Sequence, residues 1–395
     1  MLAFLAFLVG YALSQFFRSF LAVIAPELAH ELTLSAADLG NISAAWFAGF
    51  ALAQFAVGIA LDRIGPRRTV PALMLAGVLG AALFSRAHSG HDAILAMALI
   101  GVGCSPALMG PLFVFARTYP ARRFALLSST MIGLGSIGNL MGGTPLALAD
   151  QAWGWRGVFL GLAGVTLAAA VLIAILVRDP PQIDAENGGH TGWIGGLRDV
   201  MSIRPLWPIW PLMGLGYGVL IAERGLWVGP YLSDIYQLAP VPRGNIIFLM
   251  ALAITAGALA YGPLDQWLGT RKWVVFTGSA VTGLALLGLW YFPHPELSVA
   301  AALLCVVGFA GMIYGVIMAH IRSFVPEHIV GRGITFANFL CMGGAGVIQV
   351  VSGHYAESLK VAQLPPESLY AELHLGLALT LLSATAIYAF SRDRA

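Results

Sequence analysis

The first apolar run of the chain carries the stretch GYALSQFFR, which extends from Gly10 to Arg18. Its polar side chains follow i, i+3, i+4, i+7 spacing, which predicts a single polar stripe on an otherwise apolar helix. These side chains are Tyr11, Ser14, Gln15 and Arg18. An arginine so deep in an apolar helix costs several kcal/mol if it faces lipid, so we expect Arg18 to face a cavity or a partner instead.

The same pattern returns in the second half of the chain as GYGVLIAER, from Gly216 to Arg224. Arg224 lies 206 residues after Arg18 (224 − 18 = 206), and Pro120 and Pro326 are separated by the same interval (326 − 120 = 206). Each proline follows an apolar run and precedes a basic turn. We infer that the chain is a duplicated unit with an arginine in the first helix of each half.

The composition is that of an integral membrane protein. Of the 395 residues 58% are hydrophobic and only 10% are charged, and the mean hydropathy is +0.82. The net charge of +2, without a basic cluster, argues against a nucleic-acid partner. Three cysteines, all in apolar runs, predict neither a disulfide framework nor a metal site. We expect no cofactor and no cleavable signal peptide.

A bilayer core about 30 Å thick needs about 20 apolar residues per helix. The sequence therefore predicts an all-α membrane protein with twelve transmembrane helices in two pseudo-symmetric six-helix bundles. The one long polar segment separates an N-terminal bundle (1–178) from a C-terminal bundle (206–395) and is predicted to be a cytoplasmic linker (179–205). The spans are residues 2–26, 37–61, 70–87, 93–116, 125–149, 156–177, 206–233, 244–264, 273–292, 297–321, 333–354 and 372–390.

The distribution of Lys and Arg gives the orientation, because cytoplasmic loops carry the excess of positive charge. Fifteen of these residues lie in the loops and tail of one side. The other side has four, namely Arg86, Arg156, Arg243 and Lys360. This asymmetry predicts that both termini and the linker are cytoplasmic. We expect the membrane to be a bacterial inner membrane.

The loop after the second span reads GIALDRIGPRR, from Gly58 to Arg68. It resembles the loop between helices two and three of the major facilitator superfamily, and a weaker copy follows span eight. With the twelve spans and the duplicated half, the resemblance covers essentially the whole chain. It implies a major facilitator fold in which this loop latches the cytoplasmic faces during rocking. The gate residues are Gly58, Asp62, Arg63, Gly65, Arg67, Arg68 and Asp265.

The first helix also resembles that of the organophosphate:phosphate antiporters, and the related anion:cation symporters carry comparable arginines. The resemblance implies that Arg18 and Arg224 line a shared cavity and grip the substrate's anionic group, and two guanidinium forks suit an oxyanion. Those antiporters carry a lysine in helix two where this chain has Gln54. The smaller positive charge favours a monoanion such as a carboxylate over a phosphate ester. Snorkelling of Arg18 to the headgroups is the alternative, and the duplicated pair argues against it.

Glu223 is the only carboxylate well inside a span. It is a candidate for coupling transport to protons, and a structural ion pair inside the bundle is an equally good interpretation. Five further side chains are candidates for substrate contact or for ordinary packing, namely Tyr11, Gln15, Gln54, Tyr217 and Tyr231. His320, at the cytoplasmic end of span ten, is expected to be solvated and to have no special role.

Five glycines punctuate span five, and we interpret them as positions where helices pack closely. They are Gly133, Gly135, Gly138, Gly142 and Gly143.

These features predict a secondary transporter that moves a small anion by alternating access as a monomer, with protons or a counter-anion as coupling partners. The alternatives are a drug or metabolite efflux transporter, a nitrate-type porter and a non-transporting sensor on the same fold. Span four lacks the arginine that often precedes its glycines in proton-coupled drug exporters, which argues against a multidrug pump. The sequence has no nucleophile–base set, metal cluster or phosphate loop, so we expect no enzymatic activity.

Overall fold

The computed structural model describes residues 2–180, 200–326 and 329–393, and their regular structure is helical. A π-helical turn, Glu223–Trp227, joins α10 to α11, and a 3-10 turn, Arg204–Leu206, precedes α10. The α-helices are α1 (Leu2–Phe17), α2 (Leu21–Leu32), α3 (Ala36–Arg63), α4 (Pro66–Phe84), α5 (Gly90–Cys104), α6 (Met109–Thr118), α7 (Ala121–Gly135), α8 (Ile137–Met141), α9 (Thr144–Leu176), α10 (Trp210–Ala222), α11 (Val228–Tyr236), α12 (Pro240–Leu268), α13 (Lys272–Tyr291), α14 (Leu297–Ala310), α15 (Tyr314–Arg322), α16 (Val330–Val361) and α17 (Pro366–Tyr388).

The described residues contain nine helical segments long and apolar enough to cross a bilayer. Two bent segments raise this number to eleven: α1 with α2, and α3, which bends by 41° between Gln54 and Ala56. The predicted fifth span corresponds to α7, α8 and the part of α9 before Gly154, whose positive φ of 66° separates two helices. The all-α membrane architecture is confirmed, while the count of twelve spans stays a prediction.

The chain divides into two compact units. Unit 1 comprises Met1–Ala185 and Ala239–Phe248, and unit 2 comprises Glu186–Leu238 and Leu249–Ala395. The first turns of α12 therefore belong to unit 1 and the rest of that helix to unit 2. The predicted bundle boundaries stay a prediction, and residues 181–199 of the predicted linker lie outside the described residues.

The first predicted span is interrupted at its arginine. Helix α1 ends at Phe17, and the chain bends by 54° before α2 begins. The amides of Ser19 and Phe20 both donate to the Phe16 carbonyl, and the Ser19 hydroxyl donates to the Gln15 carbonyl at 3.2 Å. A serine hydroxyl that bonds to the preceding turn takes the place of a helical N–H and favours a bend. The continuous helix predicted for residues 2–26 is therefore wrong at this point.

A cluster of four phenylalanines anchors the bend. The rings of Phe20 and Phe159 lie 4.7 Å apart, and Phe84 lies 4.5 Å from Phe159. Phe17 completes the group at 6.1 Å from Phe159, and all four side chains are at most 2% exposed. Such aromatic pairs contribute about 0.5–1.5 kcal/mol each beyond the burial of their area. The packing therefore fixes the segment that carries Arg18 against α4 and α9.

Arg243, at the start of α12, is buried in unit 1. It is 2% exposed, donates to the Val23 carbonyl of α2 at 2.8 Å and pairs with Glu27. The sequence predicts a loop position for this arginine. The structure instead gives it a structural partner on each of two successive turns of α2.

His320 is completely buried beneath the C-terminal tail. Its Nε2 lies 2.9 Å from the Arg392 carbonyl oxygen, and its Nδ1 lies 2.7 Å from the Tyr388 hydroxyl. Because a carbonyl can only accept, Nε2 carries a proton in this arrangement. The expectation of a solvated histidine is therefore wrong, since the chain beyond α17 covers the ring.

The span-five glycines differ in what surrounds them. A Cβ on Gly138 would lie 1.9 Å from the Ala12 carbonyl oxygen, and one on Gly135 would lie 2.1 Å from the Tyr11 ring. A Cβ on Gly133 would meet nothing within 4 Å. Close helix packing thus accounts for Gly135 and Gly138 but not for Gly133.

We predict opposite effects for alanine at two of these glycines. Gly138→Ala forces α8 away from α1 and should lower the free energy of unfolding by about 1–3 kcal/mol, as overpacking does. Gly133→Ala adds helix propensity in open space and should be neutral or stabilising by up to about 1 kcal/mol. Thermal unfolding of the purified variants in detergent measures both. Equal losses of stability in the two variants would contradict the packing interpretation.

Candidate functional site

Arg18 lies directly after α1 and is partly buried. Its guanidinium carbon sits 5.1 Å from the centre of the Trp46 ring and 5.8 Å from that of Phe50, one turn further along α3. Cation–π contacts contribute about 0.5–1 kcal/mol at exposed sites and about 2 kcal/mol when desolvated. The guanidinium group is planar, and its N–H fork matches the geometry of a carboxylate.

The other candidates on unit 1 have mainly structural contacts. The Gln54 amide donates to the Ser105 carbonyl at 3.1 Å, where the chain passes from α5 to α6. Tyr11 is 7% exposed and belongs to an apolar core with Phe7 and Met74. Gln15 is 9% exposed and lies one turn before Arg18. Their contact with a substrate stays a prediction.

Arg224 lies in the π-turn of unit 2 and is 1% exposed. Side chains of α16 support this turn, because the Trp227 indole N–H donates to the Ser352 hydroxyl at 2.9 Å and the Gln349 amide donates to the Ile221 carbonyl at 3.4 Å. π-turns inside α-helices occur frequently at functional sites. Both repeated arginines therefore lie where the first helix of their half departs from α-helical geometry, although Arg18 lies at a break and Arg224 in a widened turn.

Glu223, the first residue of the π-turn, contacts a residue that sequence reasoning missed. Its Oε1 lies 3.3 Å from Nε2 of His374 on α17, and both side chains are fully buried. The ring of Tyr231 packs against this imidazole at 5.2 Å. The contact joins residues 151 positions apart, so no local pattern could have indicated it.

The two tyrosine candidates of unit 2 lie in different surroundings. Tyr231 is 1% exposed, contacts the ring of Tyr370 at 5.5 Å and lies beside the Glu223–His374 pair. Tyr217 is partly buried and packs against Tyr314 at 5.8 Å. Only Tyr231 is therefore brought next to the buried carboxylate by the contacts of unit 2.

The gate motif of unit 1 forms a network at the ends of α3, α4 and α9. Asp62 pairs with Arg117 of α6 at 3.1 Å. The amide of Arg67 donates to the Asp179 carboxylate at 2.8 Å, and its side chain donates to the Ala174 carbonyl at 2.9 Å. The first bond caps the N-terminus of α4 and the second caps the C-terminus of α9. A role in gating stays a proposal.

Gly65 is required by this geometry. It precedes α4 with φ +90°, a conformation that favours glycine, and a Cβ there would lie 2.6 Å from Cγ of Asp179. Because the N-cap glycine has no side chain, the distant Asp179 supplies the capping carboxylate. The sequence predicts that Asp179 begins the linker, whereas its carboxylate caps α4.

Unit 2 has an equivalent aspartate cap at the start of α13. Asp393 follows the last helix, accepts a hydrogen bond from the Thr270 hydroxyl and accepts another from the Lys272 amide at 3.1 Å. Partial burial raises the pKa of Asp393, but these hydrogen bonds outweigh it, so the pKa lies below the usual range of an aspartate. An Arg-Asp pair follows the last apolar run of each half, at 178–179 and 392–393. This repeated pair is the sequence feature from which both caps could have been predicted. The side chain of Asp265, the predicted gate residue here, lies outside the described part.

We predict that Gly65→Ala and Asp179→Ala damage the same cap. Each should lower the free energy of unfolding by about 0.5–2 kcal/mol, the usual range for loss of an N-cap, and the double variant should lose less than the sum. Gly58→Ala is the control within the same motif, because a Cβ there meets nothing within 4 Å. Chemical or thermal unfolding in detergent measures all four proteins. Strictly additive losses would contradict a shared cap.

Comparisons with known proteins agree with this architecture. The model of the Major Facilitator Superfamily matches residues 7–349. The chain is 25% identical over 341 residues to a gentisate transporter of Corynebacterium glutamicum, which covers 82% of this chain and 74% of that protein. It is 26% identical over 355 residues to a probable L-galactonate transporter of Escherichia coli, with coverages of 84% and 78%.

The fold is also similar to a solved structure. The nucleoside transporter NupG superposes with a TM-score of 0.78 over 98% of this chain and 99% of that one. The sequence identity is 11%, so the likeness shows the fold alone. Because the family model spans most of the chain and its members are transporters, the expectation of a transporter rather than an enzyme is confirmed. The chain belongs to the Major Facilitator Superfamily.

Proposed function

We propose that the protein is a secondary active transporter that moves a small organic monoanion, a carboxylate, together with a proton by alternating access. The observation that carries the proposal is the pair of arginines, Arg18 and Arg224, placed 206 residues apart at a helix irregularity in each half. Non-helical backbone at membrane depth is tolerated where it is buried in protein or lines a cavity. In transporters such discontinuous helices form substrate sites.

The carboxylate class is supported from two directions. Gentisate and L-galactonate, which appear in the names of the two relatives, are both carboxylates. The position that carries a lysine in the phosphate antiporters is Gln54 here, and its amide is bonded to the Ser105 carbonyl. Two guanidinium groups without a third cation match one carboxylate better than a doubly charged phosphate ester.

Proton coupling is supported by Glu223, a fully buried carboxylate beside Arg224. Import of a monoanion with one proton is electroneutral. It therefore avoids work against an inside-negative potential, which amounts to about 2.3 kcal/mol per charge per 100 mV. With both termini in the cytoplasm, as the loop charges predict, the end of α11 faces the periplasm.

We predict that Arg18→Ala and Arg224→Ala each weaken binding of the anion by about 10- to 100-fold, because each removes charge-assisted hydrogen bonds. Lysine at either position should restore binding poorly, since it lacks the bidentate fork. Arg86→Ala, at an exposed arginine, is the control. Counterflow of labelled gentisate and of labelled L-galactonate in proteoliposomes measures the effect.

Two outcomes would overturn this assignment. Normal counterflow by Arg18→Ala, with unfolding temperature unchanged, would show that the anion binds elsewhere. Saturable binding by the wild type without any accumulation would favour the sensor alternative over a transporter.

We predict that Glu223→Gln abolishes accumulation driven by a pH gradient and leaves counterflow largely intact, because glutamine imitates the protonated carboxyl and cannot release a proton. The same proteoliposomes, with and without an imposed pH gradient, measure both activities. If Glu223→Gln still accumulates substrate under the gradient, then Glu223 is a structural partner and the coupling residue lies elsewhere.

A further inference from the structure

Glu223 and His374 do not use all of their hydrogen-bonding groups, as a structural ion pair would be expected to do. Both side chains are 0% exposed, and they share one contact of 3.3 Å. The second carboxylate oxygen of Glu223 and Nδ1 of His374 have no hydrogen-bond partner among the described residues. Buried polar atoms left in this state are costly, so a pair selected for stability alone would satisfy them.

The pair is also absent from the repeat. At the 206-residue interval Glu223 corresponds to Phe17 (223 − 206 = 17). The Arg-Asp pairs at the end of each half lie 214 residues apart (393 − 179 = 214), and at that interval His374 corresponds to Leu160 (374 − 214 = 160). The arginines are duplicated, whereas the carboxylate and the imidazole occur in the second half alone. A feature of the shared scaffold would be expected in both halves, so the pair serves a purpose specific to unit 2.

Charge counting shows what such a pair can do. With two protons the pair carries a charge of +1, with one proton it is neutral, and with none it carries −1. Desolvation in a buried site disfavours both charged states, so the one-proton state has the smallest desolvation cost. Because Oε1 of Glu223 and Nε2 of His374 lie 3.3 Å apart, the two groups can hold one proton between them.

Ring contacts and one hydrogen bond connect the pair to the surface. Tyr370 lies one turn before His374 on α17, and its hydroxyl donates to the carboxylate of Asp234 at 2.6 Å. Asp234 is exposed near the end of α11. The ring of Tyr231 contacts both the ring of Tyr370 and the imidazole of His374.

We propose that Glu223 and His374 form one shared proton-binding site, and that the Tyr370–Asp234 hydrogen bond marks its opening at the end of α11. The coupling of this proton to anion movement rests on the proposed function, whereas the site itself does not. A proton from bulk water reaches the Asp234 side, binds between Oε1 and Nε2, and returns to water when the pair is deprotonated. No other bond is made or broken.

The charged and titratable groups around Glu223 and His374 come from three elements. Arg224 follows Glu223 in the π-turn and is the neighbouring cation. From α11 the pair is faced by Tyr231, with Asp234 beyond, and from α17 by Tyr370. The side chains that support the π-turn from α16 are the neutral Gln349 and Ser352.

The test of the site uses substrate-free protein. Infrared difference spectroscopy through a pH titration follows the carboxyl band of Glu223, which Glu223→Gln identifies by removing it. His374→Gln should keep the band and shift its midpoint by about one pH unit or more, equivalent to a tenfold change in proton affinity. His354→Gln, at an exposed histidine of the same unit, should shift nothing. A band that titrates identically in wild type and His374→Gln overturns the shared site.

A second variant tests the opening. Tyr370→Phe removes one hydroxyl and should slow protonation after a pH jump several-fold without moving the midpoint, because a route affects rate and not affinity. Stopped-flow mixing with a pH indicator measures the rate. An unchanged rate overturns the route. Should His374→Gln fail to fold, His374→Asn takes its place in the titration.

A transport experiment distinguishes the proposed function from the proposed proton site. With gentisate as the probe, His374→Gln should lose accumulation driven by a pH gradient and keep counterflow, whereas full accumulation by this variant overturns its part in coupling. If the wild type takes up neither gentisate nor L-galactonate, the proposed substrate class fails. The infrared titration still decides whether Glu223 and His374 share a proton.

Discussion

A backbone that leaves helical geometry inside a bilayer must satisfy its freed N–H and C=O groups with other protein groups. The two first helices meet this constraint differently. At the break after α1 the Ser19 hydroxyl and two amides serve the carbonyls of the last turn. At the π-turn, Gln349 reaches the Ile221 carbonyl from α16. Each irregularity is therefore held from within its own unit, and each carries one of the repeated arginines.

Protein groups also satisfy the backbone at the helix ends that carry the gate motif. In each unit an aspartate that follows the last helix caps the start of the third predicted span, Asp179 at α4 and Asp393 at α13. Exposed ion pairs such as Asp62–Arg117 contribute at most about 1 kcal/mol, so the pair adds little to the stability of the junction. The caps fix the geometry, and the exposed pair remains able to break and re-form.

Periodicity and repetition made the fold predictable, because span length and the 206-residue interval are properties of the sequence itself. They also indicated Arg18 and Arg224 as a repeated pair, and each lies at an irregularity of its helix. Neither property indicates a contact between residues that are distant in the sequence. The contact of His374 with Glu223 was therefore not predicted, although Glu223 stood out as a carboxylate inside a span. The break after Phe17 was missed as well, since a serine in an apolar run carries no strong helix-ending signal, and its effect depends on the aromatic packing of Phe20 and Phe159.

In the proposed transporter, the order of residues in the π-turn is what would link the proton to the anion. Adjacent side chains on a helix point roughly 100° apart, so Glu223 can engage His374 while Arg224 points to a different side. A negative charge near a buried cation lowers the attraction of that cation for an anion. A deprotonated pair therefore offsets part of the attraction of Arg224 for an anion, and protonation restores it. Because such coupling is reciprocal, a bound anion retains the proton in turn, which favours movement of the two in the same direction rather than exchange.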